Sequence, residues 1–459
     1  MIALLLCWIT RRPLEGLAAG VLSGMLLLGG SGLREEMLPS LLSMPQLETL
    51  LLCLACLKGL LGLWTKTDAP GAWARWLGRW IRDRRGAKLS TWGLGVVCFQ
   101  GGSLSTILVG TAARPLCDRE GVSHEELSYL VDSTASPIAA LVALNAWPGY
   151  IQGFLLVAGV GFFATDGDRL RFFYQSIPFF FYAILAILGT LLLCFDKAPF
   201  LGRRMQEAIR RSREEGLLDA KDAHPLGARS LFQTSVPPGY SPHPADFLLP
   251  LITLLLIAGL TALVSGLPQI LAAFAGALGV ALALAFLKGL SLLDLIDGAR
   301  QGLKGIGFGL ALLILAALLG LSLRSLGGGL YLMGQLQNAL PFWLLPLFLQ
   351  AFAILLSFAT GTSWGTFAVL LPLAMPLAWG IAEAQALASS WLFLVLCFSA
   401  VVDGALYGDQ CSPVSDTTIL SSMCTGCDLM DHVRTQIPQA TAAAVVAAAL
   451  RLAIVGLFV

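Results

Sequence analysis

Four short stretches of the chain combine glycine, hydroxyl and carboxyl residues between long apolar runs. They are Gln100-Gly101-Gly102-Ser103-Leu104-Ser105-Thr106, Asp132-Ser133-Thr134-Ala135-Ser136-Pro137, Thr360-Gly361-Thr362-Ser363-Trp364-Gly365-Thr366, and Asp409-Gln410-Cys411-Ser412-Pro413-Val414-Ser415-Asp416-Thr417-Thr418. Glycine permits backbone angles that turn carbonyls outward. Hydroxyls and carbonyls are neutral oxygen donors, a carboxylate adds charge, and hard cations prefer oxygen. A half-helix starting at such a break also offers unpaired N–H groups, which favour an anion or a substrate carboxylate. The candidate ion- or substrate-binding residues are therefore Gly101, Gly102, Ser103, Ser105, Thr106, Asp132, Ser133, Thr134, Ser136, Asn145, Gly361, Thr362, Ser363, Thr366, Asp409, Ser412, Ser415, Asp416, Thr417 and Thr418. Sodium is expected at Asp132, Thr134, Asp416 and Thr418. The alternative role for Asp132 and Asp416, each followed by Ser or Thr, is to cap half-helices.

The surroundings of these stretches set their cost. Of 459 residues, 57% are apolar and 12% are charged, about half the charge of an average soluble domain. Disorder is excluded by the apolar content. A net charge of +1 gives no basic excess for nucleic acid. Ten cysteines, several inside apolar runs (Cys53, Cys56, Cys397), make no disulfide framework. The chain is an integral membrane protein, with multiple passes expected in the cell membrane. Apolar stretches at 15–30, 46–64, 172–195, 246–265, 267–287, 305–325, 341–359, 389–409 and 437–458 approach or reach the length that crosses about 30 Å of hydrocarbon. Asp132, Asp403, Asp409 and Asp416 fall at or near membrane depth, where each costs at least about 2.5 kcal/mol on insertion scales, so function is the default reading.

Seven Lys/Arg in 66–88 and eight in 196–245 place both loops in the cytoplasm by the positive-inside rule. Trp73, Trp76 and Trp80 alternate with Arg75, Arg79 and Arg82, predicting an amphipathic interfacial helix over 71–86. Non-helical backbone survives at membrane depth only inside protein or beside water, and here the interruptions come in pairs. Shifted by 260, Gly101, Ser103 and Thr106 fall on Gly361, Ser363 and Thr366, and an acidic break follows each tip. The fold class is thus an all-α polytopic membrane protein of two repeats, read as inverted, with about 10–12 membrane segments. The N-terminal half, 1–195, carries a re-entrant hairpin (89–115) and a broken helix (125–164). A cytoplasmic linker (196–245) leads to the C-terminal half, 246–459, with its own hairpin (341–379) and broken helix (389–424). Such duplicated breaks point to a secondary active transporter working by alternating access.

At these residues the chain resembles the NhaC-type sodium/proton antiporter family within the ion-transporter superfamily. The similarity rests on Gly361-Thr362-Ser363-Trp364-Gly365-Thr366, on Tyr407-Gly408-Asp409-Gln410-Cys411-Ser412-Pro413-Val414-Ser415-Asp416-Thr417-Thr418-Ile419-Leu420-Ser421-Ser422, and on Asp431-His432-Val433-Arg434-Thr435-Gln436-Ile437-Pro438. Val122-Ser123, Glu126-Leu127-Ser128-Tyr129 and Asp132–Pro137 carry it in the first half. The resemblance implies sodium/proton exchange, or sodium- or proton-coupled movement of a small organic acid or amino acid. The start of the chain also looks clipped against the family's longer first helix. Gln100-Gly101-Gly102 stands where many members carry an acidic pair, which favours the organic-solute alternative.

Other classes are weaker. Gly361-Thr362-Ser363-Trp364-Gly365 fits the Gly-x-Ser-x-Gly hydrolase pattern, which needs a strand-turn-helix setting and a histidine base. None of His124, His224, His243 and His432 lies within an apolar span, so no enzyme is expected. A channel would commonly frame its pore across subunits, whereas two broken-helix repeats in one chain suit a carrier. No cofactor is expected beyond the coupling ions, sodium and/or proton. The expected partners are the lipid bilayer and a small cation or small organic solute, with a homodimer held open and no nucleic acid.

Overall fold

A computed structural model of the chain describes residues 12–28, 45–100, 102–157, 160–225, 236–303 and 341–459, with Leu6 and scattered positions between 311 and 327. The expected span at 305–325 lies largely outside the described residues. Every regular element among the described residues is helical. Among the described residues six helices are long and apolar enough to cross a membrane, and a further pair, bent by 48°, makes either a broken span or a re-entrant loop. The protein is an all-α polytopic membrane protein.

In chain order the helices are α1 (Pro13–Leu27), α2 (Pro45–Thr67), α3 (Ala69–Gly78), α4 (Arg84–Val97), α5 (Gly102–Arg119), α6 (His124–Ser133), α7 (Ser136–Leu141), α8 (Trp147–Val157), α9 (Asp166–Ser176), α10 (Phe181–Cys194) and α11 (Arg203–Glu214). The second half holds α12 (Ala245–Ser265), α13 (Ile270–Leu287), α14 (Leu292–Leu303), α15 (Leu345–Thr360), α16 (Ser363–Ala384), α17 (Ser390–Cys411), α18 (Asp416–Thr425) and α19 (Leu429–Phe458). Helices α16 and α17 bury most of their surface inside the protein, while α12 and α13 leave most of theirs on its periphery. That periphery is what lipid would cover, so uniform hydrophobicity there needs no protein partner.

Several boundaries differ from the sequence expectation for identifiable reasons. The interfacial helix predicted over 71–86 stops at Gly78, because Asp83 is extended and its carboxylate accepts from the Gly86 N–H, capping a new helix. The span expected at 172–195 is bent, since Pro178 sits in a 3₁₀ turn at Ile177–Phe179 and lacks an N–H for the ladder. Helix α14 was not anticipated. It crosses α2 with backbone against backbone: a Cβ on Gly62 would stand 2.3 Å from the Gly298 carbonyl, and one on Gly302 would stand 1.9 Å from that of Lys58. Small residues permit such close helix approach in membranes.

The linker folds back onto the ionic end of α6. Ser123 and Glu126 form a capping box at its start. Glu126 also pairs with Arg84 and with buried Lys88, and Lys88 reaches Asp196 at 2.7 Å. Arg211 of α11 pairs with Glu125 at 2.7 Å. His124 bridges Asp118 (3.1 Å) and Asp219 (2.7 Å). Burial alone would lower the pKa of His124, but its two carboxylate partners outweigh that and push it up to about 9.

Two predictions follow from this packing. Gly302→Ala should cost about 1–3 kcal/mol by overpacking, seen as a lower thermal midpoint in detergent. Gly279→Ala, where a Cβ meets nothing within 4 Å, should not, and equal midpoints for the two variants would refute the close crossing. For His124 the folded pKa of about 9 exceeds the ordinary value of 6.5. Its contribution is therefore complete below about pH 6.5 and lost as pH rises through about 9. Hydrogen exchange over 216–225, corrected for intrinsic rates, should quicken between pH 7.5 and 10 in the wild type and show no such step in His124→Gln.

Candidate ion-coupling site

Helix α6 ends in the interior rather than at a surface. Its last turn carries Asp132 and Ser133, both buried, before the chain breaks at Thr134-Ala135 and restarts as α7. Asp132 Oδ2 is met by three groups from the other half of the molecule. His432 Nε2 lies at 3.1 Å, Gln436 Nε2 donates at 3.2 Å, and the Thr418 hydroxyl, whose shortest bond is to the Gln410 carbonyl at 2.9 Å, lies at 3.3 Å. His432 and Gln436 are four residues apart on α19, hence on one helix face. Asp428 starts that helix by accepting from the N–H groups of Met430 and Asp431.

The same place is tied to the end of α17. Gln436 also donates to the Gln410 carbonyl at 2.6 Å. The Gln410 amide donates to Ser133 at 2.8 Å and accepts from the Tyr182 hydroxyl at 2.7 Å. One residue earlier, buried Asp409 accepts from Ser415 at 2.7 Å, with Ser363 on the same carboxylate. Ser415 contacts Thr417 at 3.1 Å. Asp132 and Asp416 both lie within electrostatic reach of Asp409. Asp416 itself is exposed at the start of α18, within reach of Lys58.

The structure thus brings together Asp132, Ser133, Thr418, Asp409, Ser415, Thr417 and Ser363. The remaining candidates serve the backbone. Thr134 donates to the Leu130 carbonyl at 2.7 Å, Ser105 to Cys98 at 2.5 Å, and Ser412 to Phe358 at 2.7 Å. Thr106 and Thr366 bond back to Gly102 and Thr362, four residues earlier, in matching positions of the two halves. Thr362 caps α16 by accepting from Gly365 N–H. Asn145 donates to the Phe99 and Ala139 carbonyls at 3.0 and 2.8 Å, strapping the first tip to the loop before α8. Ser136 is buried at the first position of α7. Gly101 and the Ser103 side chain lie outside the described residues. The glycines with left-handed angles at the two tips are Gly102 (φ +72°) and Gly361 (φ +67°), an offset of 259. Of the expected sodium ligands, Asp132 and Thr418 meet, Thr134 turns its hydroxyl proton to its own helix, and Asp416 stands outside the buried cluster.

Sequence reasoning missed His432, Gln436, Gln410 and Tyr182. It set His432 aside as outside the apolar spans, but α19 begins earlier than the apolar run and carries His432, 0% exposed, into the interior. It also missed the partner of Asp403. Arg451 of α19 donates to Asp403 at 2.5 Å, to Gln350 at 2.5 Å and to Ser399 at 3.3 Å, and Tyr182 N–H donates to Asp403 at 3.0 Å. A lone Arg in the last apolar span signals such a partner. Several buried polar atoms at the cluster have no protein partner among the described residues: His432 Nδ1, Gln436 Oε1 and, at the first tip, both amide atoms of Gln100. Such atoms mark a place for water or solute.

Buried carboxylates beside hydroxyl, amide and imidazole groups are chemically able to hold a proton or a hard cation. His432 Nε2 faces both Ser421 (3.0 Å) and Asp132, whereas a nucleophilic triad needs serine and carboxylate on opposite ring nitrogens. Ser363 opens a helix and faces Asp409, so the Gly-x-Ser-x-Gly match lacks its strand-turn setting.

Residues 149–457 match the model of the Na+/H+ antiporter family. An uncharacterized protein of Haemophilus influenzae is 28% identical over 473 residues, covering 97% of this chain and 87% of that protein. The malate-2H(+)/Na(+)-lactate antiporter of Bacillus subtilis is 38% identical over 80 residues, 17% of this chain and 15% of that protein. The fold is shared with the YdaH transporter of Alcanivorax borkumensis at a TM-score of 0.61 and 13% identity, covering 97% of this chain and 98% of that one. The chain belongs to the Na+/H+ antiporter family and is an integral membrane transporter, not an enzyme.

Proposed function

We propose that the protein is a sodium/proton antiporter of the NhaC type, working by alternating access across the cell membrane with the linker in the cytoplasm. The observation that carries this reading is the meeting of Asp132 with Thr418, His432 and Gln436 from the opposite half of the chain. A buried carboxylate holds either a proton or a cation, and the two exclude each other. If the halves move against one another, the shared carboxylate faces each side in turn. Loaded with sodium on one side and a proton on the other, it exchanges them. Asp409, with Ser415 and Ser363, supplies a second carboxylate within electrostatic reach. Coupling ions are the only small partners this chemistry needs.

A second reading has its own support. Gln100 is a neutral amide with both polar atoms unspent at the first tip, and one short-range relative exchanges malate and lactate by name. In that reading Asp132 couples sodium or protons to an organic anion, and Gln100 contacts the solute.

Proteoliposomes separate the two. Asp132→Asn should slow sodium-dependent proton movement roughly 10- to 100-fold, the loss of one or two charge-assisted bonds, at unchanged yield. Asp409→Asn should cost more than Asp416→Asn, because only Asp409 is buried in the cluster. In the wild type, apparent sodium affinity should weaken by up to about tenfold per pH unit as pH falls, the limit for one-proton competition. Sodium affinity independent of pH, together with uptake of lactate or malate, would overturn exchange in favour of the second reading.

A further inference from the structure

Helix α3 and the arm α5 line an open cavity of about 460 Å³ that takes no part in the site above. Its lining includes Arg75, Arg79 and Arg119 against one carboxylate, Asp68. The apolar wall is Ala74, Ala112, Pro115 and Leu116. Asp68 is taken by Arg75 at 2.7 Å. Arg119 holds the Ile81 carbonyl at 2.8 Å and pairs with Glu120. Arg79 is exposed and makes no side-chain hydrogen bond or ion pair among the described residues. The lining therefore combines an excess of guanidinium groups with apolar side chains.

Its position adds the second argument. On α3 and just beyond it, Trp76 and Trp80 are 43% and 75% exposed, although indole rings are costly to leave in water. Tryptophan at such positions sits at headgroup depth, and a helix with Trp and Arg on its faces lies in the membrane plane. A cavity of this size is large enough for a headgroup, and guanidinium groups match phosphate oxygens.

We propose that this cavity binds the headgroup of an anionic phospholipid, its phosphodiester between Arg79, Arg75 and Arg119 and its glycerol and upper acyl chains along Ala74, Pro115 and Leu116. Because α5 packs against α18, with Gly110 on Cys424, a lipid seated there braces an arm that reaches the coupling site.

The test uses the full-length protein, delipidated in a neutral detergent, with thermal midpoint as the readout. Phosphatidylglycerol should raise the midpoint saturably, and phosphatidylcholine should not. Inorganic phosphate at 10 mM should not reproduce the effect, since it lacks the apolar part. Arg79→Gln should raise the half-saturating phosphatidylglycerol concentration about fivefold, as expected for one basic group at a membrane surface. Arg82→Gln, outside the lining, should leave it unchanged. Equal effects of the two lipids, an equal effect of free phosphate, or equal half-saturation in Arg79→Gln and Arg82→Gln would each overturn the proposal. Native mass spectrometry of the untreated wild type should show retained phosphatidylglycerol, lost preferentially from Arg79→Gln.

Discussion

A carboxylate inside a membrane protein must be answered by groups the protein itself supplies, and Asp132 is answered from the far end of the chain. His432, Gln436 and Thr418 all approach one oxygen, Oδ2, from helices 286 to 304 residues away in sequence. Desolvation makes that contact obligatory rather than incidental. It fixes where α18 and α19 sit relative to α6. Through Gln410 and Tyr182 it extends to α17 and α10. The broken helices exist to bring these groups to one depth, since an unbroken helix would carry its polar residues past one another.

The breaks are sustained by local bonds that spend the hydroxyls nearest the backbone. Thr106 and Thr366 return to carbonyls one turn earlier, Thr362 caps α16, and Ser412 satisfies Phe358. These residues let the chain stop and restart helix without orphaning backbone groups. The first turn after a break divides between the two tasks residue by residue: Thr366 serves the break, whereas Ser363, Thr417 and Thr418 face the cluster.

How much of this was legible follows from the range of each signal. Hydrophobic runs and Gly-Ser-Thr interruptions are local, so most of the helices and all four breaks could be read from composition alone. Asp132, Ser133 and Thr418 were legible because they sit at those breaks. His432 and Gln436 were not, because nothing local distinguishes a polar helix start at the surface from one that enters the interior. Only the partner across the fold decides that. The same holds for Asp416, which sequence ranks with Asp132 and which the fold leaves exposed while Asp409 enters the cluster. Helix α14 lacked a signal of its own, since its glycines acquire meaning only against Gly62 and Lys58.

Two buried acidic residues show why a partner's chemistry matters more than burial. Asp403 and Asp132 are both removed from solvent, and both accept from α19. Asp403 faces Arg451, a guanidinium that keeps its proton under all ordinary conditions. That pair is neutral as a unit, and the further bonds from Tyr182, Gln350 and Ser399 hold it fixed. Such a pair ties α10, α15, α17 and α19 together but has no reason to exchange a counter-ion. Asp132 instead meets the Gln436 amide, the Thr418 hydroxyl and the His432 ring, and no guanidinium among the described residues reaches it. An amide and a hydroxyl satisfy a carboxylate's lone pairs without cancelling its charge. The same helix therefore carries, at Arg451, a cation that neutralises one buried carboxylate and, at Gln436, a donor that leaves the other one's charge to be met by something else.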